Sequence, residues 1–341
     1  MNAAEDAEGS NGIADASGSA AAEHIAAAEH IADATDSVAA AAGPGRADGR
    51  IEPRAFLALM VTVLLWASAF VGIRAVLGEY SPGELALLRF LVASGVLGVY
   101  AAVVRMSLPR LRDLPKIFLL GLLGVTVYHL GLNYGEVTVS AGAASLMIAA
   151  VPMFTALLAI VFLKERLRVL GWIGILVSFF GVALVALGEG EGLSFDPRAV
   201  LVLLAAVSGA HYFVLQKPLL RVYGALRLTT FAIWAGTLPL LVFLPGMLRS
   251  LGTASTAATI SVAYLGVFPA AIAYVTWNYA LARSPASLVA SFLYLPPVFT
   301  ILIAWVWIGE LPTALTVFGG AVAVLGVFIV NTRGRPVARS S

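Results

Sequence analysis

Residues 152–165 read PMFTALLAIVFLKE, and residues 297–310 read PVFTILIAWVWIGE. The Pro, Phe, Thr and Glu of the first stretch return in the second at a constant offset of 145 positions. The same offset extends outward without a gap, because residues 119–185 laid on residues 264–330 give 18 identities in 67 positions. Chance matches between apolar segments are mostly Leu and Val, whereas these matches include paired Asn, Tyr, Pro and Glu. The chain therefore contains an internal duplication.

The composition indicates that lipid surrounds most of the chain. The 341 residues are 60% hydrophobic and 12% charged, whereas a soluble domain carries about 25% charged residues. From Phe56 onward the sequence is a succession of apolar runs of about 20 residues, the length that a helix needs to cross the hydrocarbon core. We therefore predict an all-α membrane protein of ten transmembrane helices, at residues 55–76, 83–104, 116–135, 139–162, 169–187, 198–216, 227–248, 258–281, 286–309 and 313–331.

The distribution of basic residues predicts the orientation of these helices. With a cytoplasmic N-terminus, 17 Lys and Arg fall in inside segments, and only Arg74, Arg198 and Arg249 fall in outside loops. Cytoplasmic loops of membrane proteins carry such an excess of Lys and Arg, so both termini are predicted to be cytoplasmic. The scarcity of Lys against Arg, with abundant Ala and Gly, is typical of a GC-rich bacterial genome. We accordingly expect a multi-pass protein of the bacterial plasma (inner) membrane.

Four segments follow from these patterns. Residues 1–50 are predicted to be a disordered, Ala-rich cytoplasmic tail, because residues 1–45 hold eight acids and no Lys or Arg. Residues 51–190 and 191–333 are the two five-helix repeats, and residues 334–341 form a short basic tail. Since each repeat has an odd number of helices, the second enters the membrane upside down. Inverted repeats are typical of secondary transporters, with the site at the midplane between them, although channels share the symmetry.

Several classes of protein are excluded by missing residues. The chain has no Cys, no P-loop and no His-Glu-x-x-His motif. The predicted spans hold no Asp or Glu beyond Glu84, which lies at the very start of the second span, so they lack the acids of an intramembrane aspartyl protease. We therefore predict that the protein is not an enzyme and uses no cofactor and no metal. Its expected partners are the lipid bilayer, a small-molecule substrate and, if transport is coupled, protons; nucleic acid is not expected.

Three motifs resemble those of a known family. They are Trp66-Ala-Ser-Ala-Phe-Val71, Leu88-Arg-Phe90 and the duplicated Pro-Phe-Thr-Glu pattern. With them, residues 55–331 resemble the EamA-type transporters of the drug/metabolite transporter superfamily. The resemblance implies ten helices in two five-helix halves. It also implies efflux of amino acids and related metabolites, although some members move sugars or lipid carriers.

Among the charged residues of the predicted spans, Arg89 alone lies more than two residues from a span end. It lies two turns into the second span, about 10 Å deep at 1.5 Å per residue. A charge at that depth costs at least a few kcal/mol unless it snorkels or finds partners. One interpretation is structural: Arg89 snorkels outward, caps carbonyls, or pairs with Glu79 or Glu84. The other is that it provides the counter-charge for a substrate carboxylate.

Two histidines are candidates for proton binding. His129 and His211 lie near the middle of the third and sixth spans. A neutral His in a helical bundle is more often a hydrogen-bonding core residue than a proton carrier. Histidine nevertheless titrates near physiological pH, and the interior of each predicted span contains no acid. If transport is coupled to protons, His129 or His211 is the predicted titrating group; otherwise the protein is a facilitator or an exchanger.

Polar and aromatic residues at similar depth form the candidate substrate site. Rings with a polar handle suit a cavity that is apolar but needs a few orienting hydrogen bonds. Residues near the ends of spans could instead be interface anchors or caps. With Arg89 and the two histidines, the predicted substrate-binding set is Trp66, Ser68, Tyr128, Asn133, Tyr212, Tyr274, Trp277, Asn278 and Tyr294.

Prolines and glycines recur at matching positions of the two repeats. Pro152, Pro296 and Pro297 interrupt the fourth and ninth spans, where a break points to a binding site and its gates, although a packing kink is equally common. Glu165 and Glu310 end these spans and are interpreted as structural. Gly174 and Gly181 share a helix face, as do their counterparts Gly319 and Gly326, which predicts close helix packing.

The function predicted from these observations is secondary, non-ATP transport of a small metabolite by alternating access. Export of amino acids or related amphipathic solutes is the first expectation, and it depends on the family resemblance more than on the residues. The alternatives are a lipid-carrier flippase, a channel-like facilitator, or a metabolite importer with the same fold.

Overall fold

A computed structural model describes residues 52–163, 169–188, 196–284, 289 and 292–333 of the chain. The predicted tails at 1–50 and 334–341, and Glu165 of the duplicated motif, lie outside the described residues.

Every secondary-structure element in the described part of the chain is a helix. Two of the helices, α3 and α9, are continuous through an internal π-helical segment, at Leu122–Val127 and at Gly266–Ile272. The helices are α1 Pro53–Val76, α2 Pro82–Val103, α3 Leu111–Gly135, α4 Ala141–Ile148, α5 Val151–Leu163, α6 Val169–Gly188, α7 Ala199–Leu240, α8 Leu244–Thr253, α9 Thr256–Arg283, α10 Pro296–Ile308 and α11 Ala314–Arg333. We call α1–α6 the first half and α7–α11 the second half.

Several of these helices are long and apolar enough to cross a membrane. Within the described residues, five helical stretches meet that condition: Pro53–Val76, Pro82–Val103, Leu111–Gly135, Ala199–Thr253 and Thr256–Arg283. Further apolar helices are shorter. The prediction of an all-helical membrane protein is therefore confirmed.

Gly224 divides the longest helix. Its backbone dihedral angles, φ 71° and ψ 174°, are not helical, and they fall inside α7, between the predicted spans at 198–216 and 227–248. Only glycine adopts this region of φ/ψ space readily, because a Cβ atom would meet the neighbouring backbone. The backbone is thus interrupted where the hydropathy pattern predicts that one span ends and the next begins.

The two halves exchange contacts in a reciprocal way. Helix α1 packs against α9 and α10, whereas α7 packs against α3 and α5. Under the sequence offset, α3 corresponds to α9, and α5 corresponds to α10. The first helix of each half therefore packs against equivalent helices of the other half.

Glycines allow the last helices of the halves to approach closely. A Cβ on Gly181 of α6 would lie 2.2 Å from the backbone nitrogen of Ala323 in α11, and a Cβ on Gly326 would lie 2.3 Å from that of Ser178. Gly174 and Gly319 supply carbonyl oxygens at the same contact. The predicted role of these glycines in helix packing is confirmed.

Candidate functional site

A cavity lies between the halves and is lined mostly by apolar and aromatic side chains. Helices α1 to α5 form one part of its wall, and α7, α9 and the start of α10 form the rest. The lining residues are Trp66, Ala69, Phe70, Arg89, Gly124, Tyr128, His129, Leu132, Ser145, Ile148, Val151, Gly209, Tyr212, Phe213, Tyr274, Leu293 and Pro296. Such a lining, with few polar groups in an apolar wall, is typical of small-molecule sites.

Arg89 is the charged residue of this wall. It is 2% exposed; its Nε donates to the Leu265 carbonyl at 3.2 Å, and its Nη1 lies 3.4 Å from His129 Nδ1. The Leu265 contact agrees with the part of the structural interpretation in which Arg89 caps a carbonyl. The carboxylate partners of that interpretation are engaged elsewhere, because Glu79 accepts from Ser255 and Glu84 accepts from Ser250. Among the described residues, the ion pair that forms joins Arg74 and Glu310. The Arg89 guanidinium thus faces the cavity with hydrogen-bond acceptors, and no carboxylate of the described residues is in contact with it.

His129 and Tyr274 continue the hydrogen-bonded chain from Arg89. The Tyr274 hydroxyl donates a hydrogen bond to the Gly124 carbonyl at 2.9 Å. Its oxygen is therefore the acceptor of the 3.1 Å hydrogen bond from His129 Nε2. His129 is consequently assigned, from this network, as the neutral tautomer protonated at Nε2. Its Nδ1 then accepts from Arg89. The guanidinium is held in place without being neutralised.

The π-helical segments supply the carbonyl groups that this network uses. A π-helical turn departs from the i→i−4 pattern and leaves backbone carbonyls available, and it occurs often at functional sites. In the first half, the carbonyls of Leu123 and Gly124 accept from Ser208 and Tyr274 of the second half. In the second half, the Leu265 carbonyl, just before the π segment, accepts from Arg89 of the first half. The two segments occupy corresponding positions under the offset of 145.

An aromatic cluster from α1, α7 and α9 forms part of the wall and packs behind it. The Trp66 ring centroid lies 5.8 Å from that of Tyr274 and 5.1 Å from that of Trp277. Phe213 packs on Trp277 at 5.2 Å, and Tyr212 lies 6.1 Å from Tyr274. These distances are those of favourable ring contacts, which hold the wall rigid.

The structure brings six predicted substrate-binding residues to the cavity wall. They are Trp66, Arg89, Tyr128, His129, Tyr212 and Tyr274. Trp277 lies behind the wall, in contact with Trp66 and Phe213. Tyr294 is half-buried between two lining residues, Leu293 and Pro296, but does not line the cavity itself.

Four other predicted residues lie away from the wall, and three of them bond to neighbouring helices. Ser68 pairs with Tyr264 at 2.8 Å, and Asn133 donates to the Pro82 carbonyl at 3.0 Å. Asn278 donates to Thr229 at 2.7 Å, and His211 Nδ1 bonds to the Val207 carbonyl of its own helix at 2.9 Å. The duplicated pair Asn133 and Asn278 thus makes an interhelical contact in each half, in agreement with the alternative interpretation of these residues as structural.

The prolines begin helices rather than bend them. Pro152 is the second residue of α5, directly after the interruption at 149–150 that separates α4 from α5. Pro296 and Pro297 are the first two residues of α10, where a missing backbone donor has no helical partner to lose. Pro296 lines the cavity, whereas Pro152 and Pro297 are buried beside it.

Sequence reasoning missed one charged residue close to this site. Glu136 follows α3 directly, is 0% exposed, and neither carboxylate oxygen has a hydrogen-bond partner among the described residues. Nearby, Arg74 donates to the Glu136 and Val137 carbonyls and pairs with Glu310, which also accepts from the Ala141 amide. The interpretation of Glu310 as a structural tie is confirmed by these contacts. The apolar lining residues of α4 and α5 were also missed, because apolar residues in apolar spans carry no distinguishing signal.

This arrangement defines a polytopic membrane protein with a cavity enclosed by both halves. Its sequence matches the EamA-like transporter family in two places, at residues 53–187 and 197–332. The chain therefore belongs to the EamA-like transporter family, within the drug/metabolite transporter superfamily, and it is a transporter rather than an enzyme. The two separate matches agree with the internal duplication.

Similar proteins include named transporters. The chain is 46% identical to the uncharacterized transporter YdfC of Bacillus subtilis, over 77% of this chain and 86% of that protein. It is 43% identical to a probable terminal-alkyne amino-acid exporter of Streptantibioticus cattleyicolor, over 82% of this chain and 94% of that protein. The fold also resembles that of a protein of known crystal structure, with a TM-score of 0.56 over 81% of this chain and 95% of the other. The two sequences are 21% identical, so this match shows a likeness of fold alone.

Proposed function

We propose that the protein is a secondary transporter that exports amino acids or related amphipathic carboxylates by alternating access. The observation that carries this proposal is the buried Arg89 guanidinium, which faces an apolar and aromatic cavity and has no carboxylate in contact with it in the part of the chain that the structure describes. A buried charge is costly unless a group of opposite sign is provided. A substrate carboxylate would provide that group through charge-assisted hydrogen bonds.

The remainder of the wall suits the rest of such a solute. Trp66, Tyr128 and Phe213 offer ring surfaces to an apolar side chain. Within the part of the chain that the structure describes, the wall carries no Asp or Glu that would pair with an ammonium group. The ring faces are left to hold a cationic amine by cation–π attraction, which is weaker than an ion pair. We therefore expect the carboxylate to be the required group and the amine to contribute less.

The architecture needed for alternating access is ten transmembrane helices arranged as two inverted five-helix repeats. Three observations support it: the ungapped duplication, the two family matches, and the exchange in which α1 packs on α9 and α10 while α7 packs on α3 and α5. The helix interruptions before Pro152 and Pro296 occur in both halves, where transporters with repeats place their sites. The distribution of Lys and Arg supports cytoplasmic termini in a bacterial inner membrane.

Export as the direction of transport is supported by the Streptantibioticus cattleyicolor relative, which is named a probable amino-acid exporter. The proposal is tested by reconstituting the purified protein in liposomes and measuring fluxes of a panel of labelled amino acids, with and without a pH gradient. Saturable flux that unlabelled substrate competes is expected. Flux that does not saturate would contradict a carrier and favour a channel, and lipid translocation without amino-acid flux would favour a flippase.

A further inference from the structure

Glu136 is an acid buried where the two halves meet. It lies in the connection between α3 and α4, and its side chain is removed from solvent with both carboxylate oxygens unpartnered among the described residues. An ionised carboxylate without hydrogen-bond donors is costly in such surroundings. Burial raises the pKa of Glu136 well above its usual range; the Arg74 guanidinium opposes this shift, and the Glu310 carboxylate adds to it.

The charged neighbours of Glu136 come from three other elements. They are Arg74 of α1, Arg89 of α2 and Glu310, which follows α10; Tyr128 is the titratable neighbour on α3 itself. Arg74 touches the backbone carbonyl of Glu136 at 2.7 Å but directs its Nε to Glu310 at 3.2 Å. One guanidinium therefore lies beside two carboxylates and is paired with only one of them.

The two acids are not equivalent. Glu310 accepts from both Arg74 and the Ala141 amide, and its side chain is 21% exposed, so its charge is stabilised by donors and by water. Glu136 has neither. The arrangement thus corresponds to a Glu310 carboxylate that pairs with Arg74 and a Glu136 side chain that keeps its proton.

The pair formed by Arg74 and Glu310 links the halves, because Arg74 belongs to α1 and Glu310 follows α10. If Glu136 loses its proton, its carboxylate becomes a second acceptor beside Arg74, whose Nη1 already bonds to the carbonyl of the same residue. Arg74 then shares its positive charge between two carboxylates, which weakens its attraction to Glu310 of the second half. Proton binding and contact between the halves are linked through this exchange.

We propose that Glu136 is a proton-binding site whose occupancy determines whether Arg74 pairs with Glu310 across the halves or with Glu136 within the first half. Protonation keeps the junction at Arg74 and Glu310 closed, and deprotonation releases it. The inference concerns the movement of the halves and does not depend on which solute is carried. It also assigns proton binding to a carboxylate near the cavity instead of to His129 or His211.

A second contact between the halves, formed by Glu79 and Ser255, does not change its charge in the pH range of the proposed switch. Glu79, between α1 and α2, accepts from the backbone amide and hydroxyl of Ser255. The Ser255 backbone hydrogen bond lowers the pKa of Glu79. Glu79 therefore stays ionised from about pH 5.5 to about pH 8.5, and a response in that interval does not come from this contact.

The test measures the distance between the halves directly. The chain has no Cys, so spin labels can be placed on either side of the Arg74–Glu310 pair. Gly78→Cys labels the first half, where a new side chain would meet no described atom within 4 Å, and Leu311→Cys labels the second half, at a residue that is 62% exposed. Pulsed electron paramagnetic resonance on the full chain in lipid nanodiscs then records this distance at about pH 5.5 and about pH 8.5. We expect the population with the longer distance to grow at least about twofold at the higher pH.

Two variants separate the proposed exchange from a general effect of pH. Glu136→Gln imitates the protonated acid and should keep the short distance at both pH values. Glu310→Gln removes the competing acid and should favour the long distance at both pH values. Because this shift is opposite to that of Glu136→Gln, the two variants together distinguish the switch from simple destabilisation of the fold. Asp196→Asn, at a half-buried acid shortly before α7, should behave like the parent. No pH response in the parent, or an unchanged response in Glu136→Gln, would overturn the proposal.

Discussion

The Arg89 guanidinium of the first half donates to the Leu265 carbonyl of the second half, with 3.2 Å between Nε and the oxygen. The reciprocal contact is made by Tyr274 of the second half, which donates to the Gly124 carbonyl of the first half at 2.9 Å. Both carbonyls lie in or next to a π-helical segment, and the two segments correspond under the sequence duplication. Each half thus provides a distorted helix that holds a side chain of the other.

Removal of the Tyr274 hydroxyl should weaken the contact between the halves at the Gly124 carbonyl. Tyr274→Phe leaves the Gly124 carbonyl and His129 Nε2 without their partner, at a cost of about 1–3 kcal/mol for unsatisfied buried groups. We expect a lower melting temperature in detergent and weaker substrate binding, because His129 no longer orients Arg89. Tyr134→Phe, at a residue that is 39% exposed, is the control and should change neither quantity. An unchanged melting temperature in Tyr274→Phe would contradict the role of this hydroxyl.

The aromatic wall should discriminate between solutes by size. Trp66→Leu removes ring contacts with Tyr274 and Trp277, and we expect the KM for a large apolar amino acid to rise about 5- to 30-fold, which corresponds to about 1–2 kcal/mol. The KM for alanine should change little, because alanine does not reach the ring. The matched control is Trp172→Leu on α6, where the ring is 50% exposed. Equal losses for large and small solutes would indicate damage to the fold instead of a lost wall.

The contact between α6 and α11 should tolerate no side chain at its glycines. A Cβ on Gly181 would lie 2.2 Å from the Ala323 nitrogen, so Gly181→Ala must separate the helices or distort them. Overpacking of this kind costs about 1–3 kcal/mol and should lower the melting temperature. Gly95→Ala on α2, where nothing lies within 4 Å, should leave it unchanged or raise it. Equal melting temperatures for the two variants would show that the helices do not meet as described.

Gly224 should resist substitution for a different reason. Its φ of 71° is strained for any residue with a side chain, although a Cβ there would meet no atom within 4 Å. We expect Gly224→Ala to cost about 1–3 kcal/mol, and thermal unfolding measures that cost. Gly78→Ala, which also meets nothing and has no positive φ, should be neutral. A neutral Gly224→Ala would mean that the backbone there is helical.

Much of the fold was accessible from the sequence, because lipid imposes a simple pattern on it. The length of the apolar runs predicted the helices, the repeated Pro, Phe, Thr and Glu predicted the duplication, and paired glycines predicted the packing of α6 on α11. These signals depend on local chemistry and on spacing, both of which the sequence displays directly.

The cavity was accessible only in part. Arg89 and the ring residues stand out against an apolar background, whereas Leu132, Ile148 and Val151 do not. The π-helical segment at Leu122–Val127 contains no Pro, and its distortion depends on partners from the other half. Glu136 comes one residue after an apolar run and therefore reads as part of an exposed loop. Its burial results from contacts that α1 and the segment after α10 make around it.

The central claim is that Arg89 recognises a carboxylate in the cavity, and equilibrium binding of three related compounds tests it most directly. Leucine, 4-methylpentanoate (which lacks the amine) and leucine amide (which lacks the carboxylate) would be compared on the purified protein and on Arg89→Gln, with Arg249→Gln as a control on an exposed arginine. We expect leucine and 4-methylpentanoate to bind, leucine amide to bind about 10- to 100-fold more weakly, and Arg89→Gln to abolish this preference. Leucine amide that binds as tightly as leucine, or a preference that persists in Arg89→Gln, would contradict the claim.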